Sequence, residues 1–229
     1  MREPTTAISP AMRRYAAEIY RLQDGQPWVG LADLAAHAAV SAQAVSRMAR
    51  RMKEAGLVEH QPYRGLRLTE AGQRAAMPAI RRHRLVEVFL VNVMGFDWSE
   101  THDLADVFEQ GIDASIEDRI DLLTGHPTRC PHGDPIPTRD GRMPVLDDTS
   151  LVNLRTGERG VVSRVRTHDP ERLRYLRSIG LVPGTAFDLR SCAPFNGPLR
   201  LKYGRHDEVL GHELATAIWV TRDASGEGG

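Results

Sequence analysis

Apolar positions Tyr15, Ile19 and Leu22 recur at helical spacing between Arg13 and Leu22, and the Gly25-Gln26-Pro27 turn marks the end of that helix. A second helix is predicted over Gly30 to Ala38, followed by the turn Ala39-Val40-Ser41. Ser41 suits the N-cap of a third helix, whose apolar positions Val45, Met48 and Met52 share one face and which stops at Gly56. Two helices joined by a tight turn form a unit that presents its second helix to a groove. Beyond Gly56, Leu57 to Gln61 reads as a strand, Pro62 to Gly65 as a turn and Leu66 to Leu68 as the returning strand. The order helix, helix, helix, hairpin predicts a winged helix-turn-helix over residues 1–75.

The pattern then lengthens. Pro78 to Met94 is predicted to be one amphipathic helix, with Ile80, Leu85, Val88, Phe89 and Val93 as its apolar content and Gly95 as its stop. Ser99 is placed as the cap of the next helix, which bears His102, Asp106 and Glu109. Ser115, with Asp118 at capping-box distance, is placed as the cap of another running through Ile116, Ile120 and Leu123. With Phe108 and Ile112, these apolar positions exceed what a small helical domain over 76–146 buries by itself, which predicts a homodimer. From a polar junction at Asp147 to Ser150 the period changes to short β-type runs, Gly160 to Val165, Thr185 to Arg190, Leu199 to Tyr203 and Ala215 to Thr221, interrupted by a helix over Pro170 to Ile179. Short strands between Gly and Pro turns predict a small SH3-like β-barrel over 147–223, and the Gly-rich residues 224–229 are expected to be a disordered tail. The fold class expected is therefore mainly α with small β parts.

Charge sharpens this division. The chain of 229 residues has a formal net charge of zero, yet residues 1–75 carry 11 Lys and Arg against 7 Asp and Glu, while residues 76–149 carry 7 against 14. A basic front and an acidic middle fit nucleic acid at one end and cations in the centre. Two cysteines, Cys130 and Cys192, are too few and too far apart for a disulfide framework. No membrane-length apolar run is present, and Met1 to Pro10 lacks the core of a secretory signal, so a cytoplasmic protein is expected.

The chemistry lies in the middle. His83 with Glu87, and His102 with Asp106 and Glu109, fall at spacings that put each set on one helix face. Two such stripes can close around a divalent ion, which relieves the repulsion among carboxylates. Imidazole and carboxylate donors suit Mn2+ or Fe2+ better than a structural zinc. The rigid loop His126 to Pro135 adds a thiol and an imidazole, Cys130 and His132. On the third helix, Ser41, Gln43, Ser46, Arg47 and Arg50 line the face opposite the apolar one, and Arg64 sits at the hairpin tip. Gln and Arg read base edges in a major groove, whereas Ser and Arg also hold phosphates.

Four stretches carry a resemblance: Arg82-His83-Arg84-Leu85-Val86-Glu87; the helix from His102-Asp103 to Glu109; Cys130-Pro131-His132-Gly133-Asp134-Pro135-Ile136-Pro137; and Leu176-Arg177-Ser178-Ile179-Gly180-Leu181-Val182-Pro183-Gly184. In these, and in domain order over roughly residues 11–221, the chain resembles the diphtheria toxin repressor family of iron- and manganese-dependent regulators, in the long form with a C-terminal SH3-like (FeoA-type) domain. The resemblance implies an ancillary metal site at His83, Glu87 and His102 with Asp169, to which Cys130 and His132 contribute in manganese-type relatives. It also implies a primary site at Asp106 and Glu109. Two positions depart from the family pattern: Arg14 stands where the first helix would offer a ligand, and Gln110 where a His would follow the second glutamate. The primary site is thereby weakened, rebuilt with a group such as Glu18, or lost.

The function expected is that of a homodimeric repressor, not an enzyme, activated by one or two Mn2+ or Fe2+ ions per subunit to bind a palindromic operator, with no organic cofactor and no membrane. Two alternatives stand beside it: a di-metal carboxylate enzyme, whose Glu-x-x-His pairs are missing here, and a winged-helix regulator answering an organic ligand.

Overall fold

The computed structural model describes residues 8–23 and 26–223. Asp24 and Gly25, the N-terminal residues 1–7 and the tail 224–229 lie outside the described residues. Two compact units are present, one of Met1–Arg82 with Pro137–Met143, the other of His83–Ile136 with Pro144–Gly229. This partition differs from a cut into 1–75, 76–146 and 147–223, and the helix that crosses residue 75 is unbroken there.

In the first unit, α1 (Pro10–Leu22) starts with Pro at its first position and Ser9 accepting from the Met12 amide. A short α2 (Leu31–His37) leads through a turn, where Ala39 adopts φ 51°, into α3 (Ala42–Glu54). Ser41 caps α3 as its sequence position predicts, its Oγ accepting from the Ala44 amide at 3.2 Å. Gly56 (φ 69°) ends it and admits the hairpin β1 (Val58–Gln61) and β2 (Gly65–Leu68). Met12, Ile19, Leu34, Val45, Met52 and Leu66 are fully buried among these elements, which is the core that the helical and alternating patterns implied.

A third chain segment joins the hairpin, because Val29 and Leu66 exchange both backbone hydrogen bonds at 2.8 Å. This close approach explains Gly65, which has φ 104° and where a Cβ would lie 2.0 Å from the Val29 carbonyl oxygen. Gly65→Ala is expected to destabilise the domain by about 1–3 kcal/mol from the backbone strain alone, with steric overlap in addition. Urea unfolding followed by circular dichroism measures it, and an unchanged midpoint would remove this account of the wing.

Helix α4 (Glu70–Asn92) begins eight residues before Pro78, the start that the sequence pattern suggested, and Pro78 lies inside it. Proline removes one amide donor but does not break a helix that is held on both sides by packing. Ala76, Met77 and Ile80 are buried in the first unit's core and Leu85, Val86 and Leu90 in a core of the second. Thr69 starts the helix, its Oγ1 accepting from the Gly72 amide and donating to the Gly56 carbonyl.

The second unit continues with α5 (Thr101–Phe108), a 3-10 turn at Glu109–Gly111, and α6 (Ala114–Leu123). Two caps differ from expectation. Ser99 does not cap α5; Glu100 occupies that position without a side-chain bond, and the Ser99 amide donates instead to Asp97 Oδ1. Asp113, not Ser115, caps α6, since its carboxylate accepts from both the Ser115 and Ile116 amides and an anion is favoured at a helix start. Glu109 consequently sits just past α5 on the 3-10 turn.

The β part is one antiparallel sheet in the order β3 (Thr149–Ser150), β8 (Ile218–Arg222), β4 (Arg159–Val165), β5 (Ala186–Cys192), β6 (Leu199–Tyr203), β7 (His206–Leu210), with α7 (Pro170–Ser178) and α8 (His212–Thr216) completing an SH3-like domain. Register shifts at Val162/Arg164 and Leu189/Ser191 curve the sheet. The polar junction at Asp147 to Ser150 contains β3, and the run Ala215 to Thr221 divides between α8 and β8. Strand β7 escapes sequence reading because its residues His206, Asp207, Glu208 and Val209 are solvent-facing or nearly so. Among the described residues no helix is long and apolar enough to cross a membrane.

Candidate metal centre and DNA-reading face

Helical periodicity on α4 places His83 and Glu87 one turn apart, and both are 2% exposed. Helix α5 sets His102 against them. His83 Nε2 lies 3.2 Å from Glu87 Oε1 and 3.0 Å from His102 Nδ1, and His102 Nδ1 is 3.3 Å from Glu87 Oε1. The loop after α6 adds the rest. A tight turn, in which the Gly133 amide donates to the Cys130 carbonyl and the Cys130 amide to the Asp134 carbonyl, presents His132 Nδ1 3.6 Å from Glu87 Oε1, with Cys130 Sγ 3.9 Å from that nitrogen. Gly133 (φ 91°) permits this, because a Cβ there would lie 2.2 Å from the Ser163 carbonyl oxygen. His132 Nε2 donates to the Trp98 carbonyl at 2.9 Å, which fixes the ring's orientation and leaves Nδ1 facing Glu87, where its lone pair serves a metal once any proton there is displaced.

Electrostatics follow from one buried carboxylate among three imidazoles. Burial alone would raise the Glu87 carboxyl, but the charges of His132 and His83 and hydrogen bonds from His102 and His132 hold it well below the usual carboxylate range. Burial would likewise lower His132, and the Glu87 charge raises it well above its ordinary value instead. Burial and the Glu87 charge push the Cys130 thiol up.

The donors fit a divalent ion. One ligand atom from each of His83, Glu87 and His102 lies within 4.8 Å of the others, and the same holds for Glu87, Cys130 and His132 and for His83, Asp106 and Glu109. Neighbouring ligands about 2.1 Å from a common ion stand roughly 3.0–3.5 Å apart, close to the separations found around Glu87 Oε1. Imidazole nitrogens with a carboxylate suit Fe2+ or Mn2+, the softer Cys130 sulfur favours the later ions of the series, and the charge of any of them would offset the buried acid.

Asp106 and Glu109 face the other side of His83: Asp106 Oδ1 and Glu109 Oε2 each lie 3.2 Å from its Nδ1. Gln110 turns back, its amide nitrogen donating to the Asp106 carbonyl. Glu18 is engaged by Arg21 and His37, both at 3.1 Å. Asp169 is not brought to the cluster. It caps α7, accepting from the Glu171 and Arg172 amides, and pairs with Arg172. The preceding residue is the one that arrives: the His168 ring stacks on His102 with centroids 3.7 Å apart. No spacing rule links His168 to a helix so much earlier in the chain, so sequence reasoning missed it.

On the first unit, Ser41, Gln43, Ser46, Arg47 and Arg50 are all exposed along α3, while Val45, Ala49 and Met52 are buried behind them. Arg50 meets Glu54 at 3.8 Å, with both side chains largely exposed. Arg64 is exposed at the hairpin turn beside Tyr63, which is fully exposed with φ 66°. Trp28 underlies the wing, with the Arg67 guanidinium 4.9 Å and that of Arg64 6.0 Å from its ring.

Comparison with known proteins supports this division of labour. Three family models match in order: the iron dependent repressor N-terminal DNA binding domain over residues 7–66, the iron dependent repressor metal binding and dimerisation domain over 69–138, and the FeoA domain over 149–222. The iron-dependent repressor IdeR of Mycobacterium tuberculosis is 31% identical over 220 residues, covering 91% of this chain and 95% of its own length. The diphtheria toxin repressor of Corynebacterium efficiens is 30% identical over 192 residues, covering 76% and 80%. A solved structure of a manganese-dependent transcriptional repressor in complex with manganese superposes with a TM-score of 0.82 at 36% identity, covering 92% of this chain and 99% of that one. By these matches, which together span residues 7–222, the chain belongs to the iron-dependent repressor family, which includes the diphtheria toxin repressor, in the form that carries a C-terminal FeoA domain.

Proposed function

We propose that this chain is a metal-dependent DNA-binding transcriptional repressor that acts as a homodimer in the cytoplasm and takes Mn2+ or Fe2+ as its corepressor. The observation that carries the reading is the convergence of His83, His102, His132 and Cys130 on the buried Glu87, in a chain that also displays a polar helix face over a hairpin. When bound, the ion supplies a positive charge and fixed ligand directions that tie α4, α5 and the Cys130 loop together. Glu87 neutralises part of that charge, the imidazoles orient, and the Trp98 carbonyl keeps the His132 ring aimed. Helix α4 leads back from this centre to the hairpin, so ordering its donors favours one conformer of the reader over others.

In that conformer the dimer presents two α3 helices to successive major grooves of a palindromic duplex, Gln43 and Arg47 toward base edges, Ser41, Ser46, Arg50 and Arg64 toward phosphates. Dimerisation is supported by the apolar surface left on α5 and α6, where Val107 is 72%, Leu122 56% and Leu123 65% exposed. Two free cysteines accord with a reducing compartment. A di-metal enzyme is set aside, because the family is one of repressors and α1 to α3 are occupied by the reader.

The test is to enrich duplexes from a random pool with the full chain and Mn2+, then titrate one against protein with and without EDTA. Affinity is expected to fall about 5- to 150-fold on chelation, the usual range of allosteric coupling. Equal affinity in both conditions would overturn metal dependence.

A further inference from the structure

His83 is shared by two donor sets through opposite ring nitrogens. Nε2 faces the buried set, 3.2 Å from Glu87 Oε1 and 3.0 Å from His102 Nδ1. Nδ1 faces the half-exposed set, 3.2 Å from both Asp106 Oδ1 and Glu109 Oε2. A neutral imidazole has one N–H and one lone pair, so it can ligate on one side only. Carboxylates accept on both sides of the ring, so the donor sets decide: the buried side, where Glu87 is joined by His102, His132 and Cys130, offers an ion more donors, and an ion held there takes the Nε2 lone pair and leaves the one N–H on Nδ1, facing Asp106 and Glu109. His132 is built alike, its Nε2 donating to the Trp98 carbonyl and its Nδ1 facing the same carboxylate.

We propose that Asp106 and Glu109 are positioning residues that hold the His83 Nδ1–H and aim Nε2 at a single ion in the buried set, rather than ligands of a second ion. Once Nε2 is engaged, the half-exposed set retains two carboxylates and no third protein lone pair from His83. Gln110, next along the chain, bonds its own helix instead of joining them. A carboxylate behind a ligating histidine fixes ring orientation and raises basicity. The inference rests on the metal-sensor reading above, and it gives Asp106 and Glu109 a role in affinity rather than in stoichiometry.

Equilibrium dialysis of the full chain with Mn2+ tests it, using wild type, D106A/E109A and D106N/E109Q, each checked for native Tm and helical content. One Mn2+ per subunit is expected in wild type. D106A/E109A is expected to keep that one ion at about 10- to 100-fold weaker affinity, as for other outer-shell partners. D106N/E109Q is expected to recover most of the loss, because amide oxygens still accept from Nδ1–H. Two ions in wild type falling to one in D106A/E109A, or an amide variant as weak as the alanine variant, would overturn the proposal. No Mn2+ binding by wild type at all would overturn the sensor reading itself, a distinguishable result.

Discussion

Glu87→Ala is expected to erase the effect of Mn2+ on DNA affinity while leaving a folded, weakly binding repressor. Glu87 is the common neighbour of His83, His102 and His132, all within 3.6 Å of its Oε1, and is itself 2% exposed. Without it a divalent charge would have to enter a buried pocket of neutral imidazoles, and an uncompensated buried charge is costly by several kcal/mol. The chelation ratio of about 5- to 150-fold in wild type should then collapse to about one. Fluorescence anisotropy of a labelled duplex with Mn2+ or EDTA reads this, and the apo-state Tm reports the fold separately. With the carboxylate gone, the charge that raises His132 well above its ordinary value is removed, and burial then acts to lower it. A variant that kept the full metal response would show that the ion sits elsewhere.

Arg47→Ala is expected to have the second largest effect, on operator affinity and selectivity instead of metal response. Arg47 is exposed on the face of α3 opposite buried Val45, Ala49 and Met52, so its removal leaves the core intact and stability within about 0.5 kcal/mol of wild type. A bidentate arginine–guanine pair is worth about 1–3 kcal/mol, and a homodimer would forfeit two of them. Affinity should fall by roughly 2–6 kcal/mol, with discrimination relaxed at one base pair per half-site. Arg50→Ala offers the contrast: removing one phosphate anchor from each half-site should weaken all duplexes alike and flatten the salt dependence by about two units. Identical selectivity in wild type and Arg47→Ala would take Arg47 off the base edges.

Much of the fold was legible because its determinants are local. The cap at Ser41, the stop at Gly56 and the apolar stripe of α3 all lie within one helix length, and they appear where the pattern put them. The errors came where two local signals competed. Pro78 reads as a helix start, yet burial of Ala76, Met77 and Ile80 carries α4 through it. Ser115 and Asp113 are both capping residues, and the carboxylate prevailed with two amides to satisfy. Strand β7 offers no alternation to read, because backbone pairing with β6 holds it and side-chain burial contributes little.

By itself, the sequence determined most of the elements and the kind of chemistry: helices set by a 3.6-residue period, a basic reader, and His and carboxylate pairs at spacings that share a face. These follow from backbone geometry over one or two turns, and need no knowledge of what packs against what. Only the tertiary structure decided which donors meet. It brought Cys130 and His132 to Glu87 from a loop two helices further along, delivered His168 to His102 while Asp169 stayed on its helix cap, and gave the two nitrogens of His83 to different partners. Convergence of that sort depends on how distant segments pack and where their hydrogen bonds are satisfied, which no local period encodes.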